Sequence, residues 1–126
     1  MIRKLEHIGV MVTDMDASIR FYTEVLRLQL VKRVQLRPGV ELTFLSYPGQ
    51  ESVELELITG DGSHAEQGKV NHIAFTVTDI EAEVARLKSL GVKLIDEQPK
   101  TILDGIKIAF FYGPDGERLE FFQPKA

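Results

Sequence analysis

Hydrophobic and polar residues alternate at the start of the chain. Leu5 is followed by His7-Ile8-Gly9-Val10-Met11-Val12, a period of two that suits a strand. The period then lengthens: Asp14 or Asp16 offers an N-cap, and Ile19, Tyr22, Val25 and Leu26 recur at helical spacing. Leu28 to Leu36 reads as a strand, Pro38-Gly39 as a turn, and Leu42 to Tyr47 as another strand. Pro48-Gly49-Gln50 turns the chain into Val53 to Thr59. The predicted order is strand, helix, then three strands.

The second half repeats that order. Val70 to Val77 reads as a strand, and Asp79 caps a helix with Ile80, Val84, Leu87 and Leu90 on one stripe. Gly91 ends it as a left-handed residue would. Val92 to Ile95, Ile106 to Phe111 and Arg118 to Phe122 follow as strands, with Gly113-Pro114-Asp115-Gly116 as the last tight turn.

A shift of 65 positions superimposes His7-Ile8 on His72-Ile73 and Val12-Thr13-Asp14 on Val77-Thr78-Asp79. A shift of 64 superimposes Glu56 on Glu120 and Gly49 on Gly113. Agreement at so many special positions indicates an internal duplication. At the helix end Gly91 corresponds to Arg27, so either Arg27 accepts a positive φ or the first helix ends differently. The expectation is one domain over residues 1–126: a first βαβββ module at 1–60, a polar, glycine-rich linker at 61–69, and a second βαβββ module at 70–126. The fold class is then α+β, with two four-stranded, mainly antiparallel sheets, each backed by a helix. A half of about 60 residues buries little surface alone, so the halves are expected to share a core.

Composition narrows the chemistry. The 126 residues carry 44% apolar and 27% charged side chains, a globular balance that argues against disorder. The absence of Cys excludes disulfides, thiol nucleophiles and thiolate metal sites. The net charge is -4 and no basic run forms a patch, which argues against nucleic acid as a partner. No apolar stretch approaches the roughly 20 residues that span a bilayer. The opening residues run into a strand-like pattern without a signal-peptide apolar core, so a cytoplasmic protein is expected.

Strand alternation sorts the ionisable residues by face. Ile8, Val10 and Val12 oppose His7, Gly9 and Met11, and Ile73, Phe75 and Val77 oppose His72, Ala74 and Thr76. Val53, Leu55 and Leu57 oppose Glu54, Glu56 and Ile58, and Leu119 and Phe121 oppose Glu120 and Phe122. The apolar faces suit a covering helix. The other faces each carry a His or a Glu, with Gly9 and Ala74 leaving space beside them. The inference is a curved sheet with a hollow lined by His7, His72, Glu56 and Glu120. A solvent-facing strand would account for any one of the four, and His64, alone in the linker, is read that way. Glu54 shares the face of Glu56 but has Arg118 as its repeat. Taken together, two His and two Glu at repeated positions form a near two-fold set of nitrogen and oxygen ligands. A divalent cation would remove the cost of burying the two carboxylates.

At these residues the chain resembles the vicinal oxygen chelate superfamily, the glyoxalase I-like proteins. The resemblance is carried by His7 to Asp14, Ser18 to Leu26, Val53-Glu54-Leu55-Glu56-Leu57, His72 to Val77 and Gly113 to Glu120. It implies paired βαβββ modules forming an open barrel, and a homodimer whose sites are often assembled across the subunit interface. It also implies a divalent metal on His7, Glu56, His72 and Glu120. Octahedral nitrogen and oxygen coordination suits Ni, Co or Mn, whereas Zn more often takes fewer ligands. The implied activity is that of a lactoylglutathione lyase, acting on the hemithioacetal of methylglyoxal or another small-molecule substrate with vicinal oxygens. It would run through a chelated enediolate, with Glu56 or Glu120 as the catalytic base.

The chain departs from the glutathione-using bacterial enzymes at two positions. They carry an Arg four residues after the first ligand and an Asn four after the second, where this chain has Met11 and Gly60. Neither can bind the charged glutamyl end of that thiol. The second half also resembles methylmalonyl-CoA epimerase at His72-Ile73-Ala74-Phe75, Asp79-Ile80-Glu81-Ala82 and Gly91 to Glu97, although Gly113-Pro114-Asp115-Gly116 is the glyoxalase-like turn. The alternative from another class is a metal-free small-molecule binding protein like the bleomycin-sequestering relatives, which usually lack the ligand quartet.

Overall fold

The computed structural model describes residues 1, 5–60, 70, 72–102 and 105–125. The linker expected at 61–69, with His64, lies outside the described residues. The chain divides into two units, Met1–Glu66 and Gln67–Ala126. In the first, β1 (His7–Met11), α1 (Met15–Arg20), a π-helical turn (Phe21–Val25), β2 (Gln29–Arg37), β3 (Val40–Ser46) and β4 (Glu54–Thr59) follow in order. In the second the order is β5 (Ile73–Thr76), α2 (Ile80–Ser89), β6 (Lys100–Ile102), β7 (Ile106–Tyr112) and β8 (Arg118–Gln123). The fold is α+β. Each unit builds one four-stranded sheet, β1-β4-β3-β2 and β5-β8-β7-β6. In both, the first strand runs parallel to the last and the other pairings are antiparallel.

The helices start where the acids place them. Asp14 Oδ1 accepts the Ala17 N–H at 3.1 Å, and Asp79 Oδ1 accepts that of Ala82 at 3.2 Å. Asp16, the other candidate cap, instead meets Arg33 Nη1 at 2.8 Å. At the far end Arg27 does adopt a left-handed conformation, φ 64°, as Gly91 does at 74°.

Between these ends the first helix has one residue more than its repeat, because Asp14 pairs with Asp79 at a shift of 65 and Arg27 with Gly91 at 64. The π-helical turn absorbs it. Val92 N–H closes α2 on the Leu87 carbonyl at 3.0 Å, and the corresponding Leu28 N–H reaches Tyr22 at 2.9 Å, one residue further back. Tyr22 and Leu87 are both fully buried, so the wider turn keeps the apolar stripe in phase.

α1 packs on β4, and α2 on β7 and β8. Val12, Tyr22, Leu45 and Leu57 fill the first core, and Ile80, Leu87, Phe111 and Leu119 the second; none of the eight is exposed. Each contributes about 1.5–3 kcal/mol of apolar burial. Leu90, expected on the helix stripe, is 53% exposed. It caps the helix with ψ near 0°, so its side chain leaves the buried face.

The strand expected at Val92 to Ile95 is replaced by a single bridge, Leu94 to Phe111. Ile95 and Asp96 both donate to the Phe110 carbonyl at 3.0 Å, and Asp96 Oδ2 takes the Phe110 N–H at 2.8 Å. A side chain thus occupies the acceptor position that a regular ladder gives to the backbone, and strand pairing resumes only at β6. By contrast β2 runs for nine residues at the sheet edge, with Leu30, Val31 and Leu36 exposed and two register shifts, at Leu30/Lys32 and Gln35/Arg37. Among the described residues no helix is long and apolar enough to cross a membrane.

Candidate functional site

The parallel pairing of first and last strands positions the same two side chains in each unit. Gly9 lies opposite Glu56, and Ala74 opposite Glu120. A histidine two residues earlier then reaches its glutamate along the diagonal. His7 Nε2 lies 3.7 Å from Glu56 Oε1, and His72 Nε2 lies 3.2 Å from Glu120 Oε1. The residues between are small: a Cβ on Gly9 would sit 3.5 Å from Glu56 Oε1 and 3.4 Å from Ile58 Cδ1, an ordinary contact.

The acids are set deeper than the imidazoles. Side-chain exposure is 14% for Glu56 and 9% for Glu120, against 43% for His7 and 36% for His72. A carboxylate withdrawn from water needs a positive or hydrogen-donating partner, and in each unit an imidazole faces it. The donor atoms also suit a divalent cation, because nitrogen and oxygen ligands about 2.1 Å from one ion stand about 3.0–3.5 Å apart. The second pair falls within that span and the first is slightly wider. Among the described residues the His, Asp and Glu side chains form no group of three or more that could hold a metal ion. Within each unit the grouping is a pair.

The second pair has neighbours that the strand pattern did not single out. The Phe110 ring stands edge-on to His72, centroids 5.2 Å apart. Arg118 lays its guanidinium over the same ring, 4.9 Å from the centroid. Asp96, 8% exposed, anchors the Phe110 backbone and meets Lys100 Nζ at 3.1 Å. Phe110 opposes Glu120 in the antiparallel pairing of β7 with β8, a register that strand alternation alone does not supply. In the first unit Phe44 opposes Glu56 in the same way, while Glu54 lies opposite His7.

Gly60 lies four residues after Glu56. It adopts φ 87°, and a Cβ there would overlap the carbonyl oxygen of Gly39. No side chain fits at that position without moving the β2–β3 turn.

The sequence model of the Glyoxalase/Bleomycin resistance protein/Dioxygenase superfamily matches residues 4–121, and the chain belongs to that superfamily. It is 42% identical over 125 residues to the uncharacterized protein YwbC of Bacillus subtilis, covering 98% of this chain and 99% of that one. It is 34% identical to the lactoylglutathione lyase of Haemophilus influenzae, covering 95% and 92%. Among solved structures, the V278E variant of glyoxalase I from Zea mays superimposes with a TM-score of 0.83 at 26% identity, covering 98% of this chain and 45% of that one.

Proposed function

We propose that the protein is a divalent-metal-dependent lyase or isomerase of the glyoxalase I kind, working as a cytoplasmic homodimer on a small substrate with vicinal oxygens. One observation carries the reading: the same His–Glu diagonal recurs in both units, with nitrogen and oxygen 3.7 and 3.2 Å apart. His7, Glu56, His72 and Glu120 would hold the metal, which when bound supplies Lewis acidity to the substrate's adjacent oxygens. Glu56 or Glu120 takes the proton from the carbon beside the carbonyl and returns it to the neighbouring carbon. Met11 and Gly60 offer no charged contact for a glutamyl group, which favours a hemithioacetal of a thiol other than glutathione.

The test is metal loading followed by assay. Stripped protein is titrated with Ni, Co, Mn and Zn, then offered hemithioacetals of several thiols and an acyl-CoA epimer. Tight binding of one metal, a melting temperature raised by it and lowered again by chelator, and isomerisation of a hemithioacetal are expected. At a hundredfold excess over Kd the metal adds about 2.7 kcal/mol of stability. Turnover of the acyl-CoA alone would make the protein an epimerase. A second reading, a metal-free binding module, draws support from the pairwise grouping of the ligands. Protein that takes up none of the four metals would favour it.

A further inference from the structure

The face of the second sheet that carries His72 and Glu120 also carries a cation with little to satisfy it. Arg118 begins β8 two residues before Glu120, so the two side chains leave the strand on one side. Its strand neighbour on the parallel side is the position just before Ile73, which is His72. The Phe110 ring joins them, meeting the His72 edge at 5.2 Å and the Arg118 guanidinium at 4.9 Å. Arg118 Nε is buried and has no hydrogen-bond partner. No carboxylate stands within salt-bridge distance of it among the described residues, although Arg33 has two and Arg86 has one. The repeated position in the first unit is acidic, Glu54, so the charge belongs to one half of the duplication alone.

A guanidinium is planar, permanently charged and built to grip two oxygens at once. Packing against an aromatic face fixes its plane and leaves its edge as the binding surface. We infer that Arg118 binds an oxyanion of the substrate, a carboxylate or a phosphate, beside the His72–Glu120 pair. The substrate is then an anionic compound whose negative group lies toward β8, and Phe110 is the positioning residue that holds both the imidazole and the guanidinium. The inference rests on the proposed reaction for its reacting centre, but anion binding itself needs no metal.

Metal-free protein therefore provides the first arm. Acetate and inorganic phosphate are titrated separately at matched ionic strength, following the Arg118 Nε–Hε resonance, assigned by its loss in Arg118→Lys. A saturable shift with one of them identifies the group; no shift beyond that caused by sodium chloride would overturn the inference. Loss of the saturable response at neighbouring backbone amides in Arg118→Gln, with weaker binding kept in Arg118→Lys, is expected. A merely structural arginine would give no anion response in any of the three. In the second arm, metal-loaded protein is assayed with hemithioacetals of 3-mercaptopropionate and 2-mercaptoethanol. A preference of about tenfold in kcat/KM for the anionic thiol, abolished in Arg118→Gln, is expected from one charge-assisted contact. Anion binding by a protein that takes no metal would sink the proposed reaction and leave this site standing. Turnover with no preference and no shift would do the reverse.

Discussion

Glu56 and Glu120 carry the proposed chemistry, and each is nearly isosteric with Gln. Glu56→Gln or Glu120→Gln keeps the size and hydrogen-bonding capacity of the side chain but removes the charge and the basic oxygen. Turnover should fall at least about a hundredfold in either variant, with the far-UV circular dichroism unchanged. Wild-type rates in both variants would show that neither is the base. Arg27 tests local strain. It holds φ 64° where the repeat has Gly91, so Arg27→Gly should raise stability by about 0.5–1 kcal/mol in urea denaturation. The shared face of each His and Glu was legible in the sequence because alternation assigns faces without knowledge of register, whereas their pairing within each unit was not. Phe110, Asp96 and the setting of Arg118 were not, since each depends on which residue of one strand stands opposite which residue of another.

The first turn of each helix is tied to its own sheet by one acid. Arg33 binds Asp16 at 2.8 Å and Glu41 through two nitrogens at 2.6 and 3.1 Å, linking α1, β2 and β3. Those two carboxylates hold the guanidinium above its ordinary range, chiefly through the hydrogen bond to Glu41. In the second unit Lys107 on β7 meets Glu81 on α2 at 2.8 Å, and that hydrogen bond holds the Glu81 carboxyl below its usual value of 4.5. The stability from Glu81 is therefore present above pH 4.5 and is lost as the pH falls through its lowered folded value. Glu81→Gln should flatten the acid limb of a stability–pH profile below that point while leaving the neutral plateau less affected. The helices and most strands were legible from period and caps. The unequal shifts of 64 and 65 showed that the first half had an extra residue, but only the Leu28–Tyr22 hydrogen bond shows where it goes. The apolar pattern of Val92 to Ile95 predicts a strand, because it cannot register that the Asp96 side chain competes for the next ladder position.

Across the whole chain the duplication keeps one topology and lets the two edges diverge. β6 is three residues long, whereas β2 is nine and has a strand neighbour on one side only. Such an edge can template the addition of a foreign strand, and Leu30, Val31 and Leu36 would make the added strand stick. Lys32 and Arg37 stand against that outcome, next to the two irregularities that distort the edge. Their protection is electrostatic, so it should fade as salt shortens the screening length to about 3 Å at 1 M. Light scattering should show the double variant Lys32→Thr/Arg37→Thr self-associating at salt concentrations where the wild type stays dispersed, with an unchanged urea midpoint. The longest strand among the described residues is thus also the most exposed invitation to polymerise, opposed by the charges of Lys32 and Arg37.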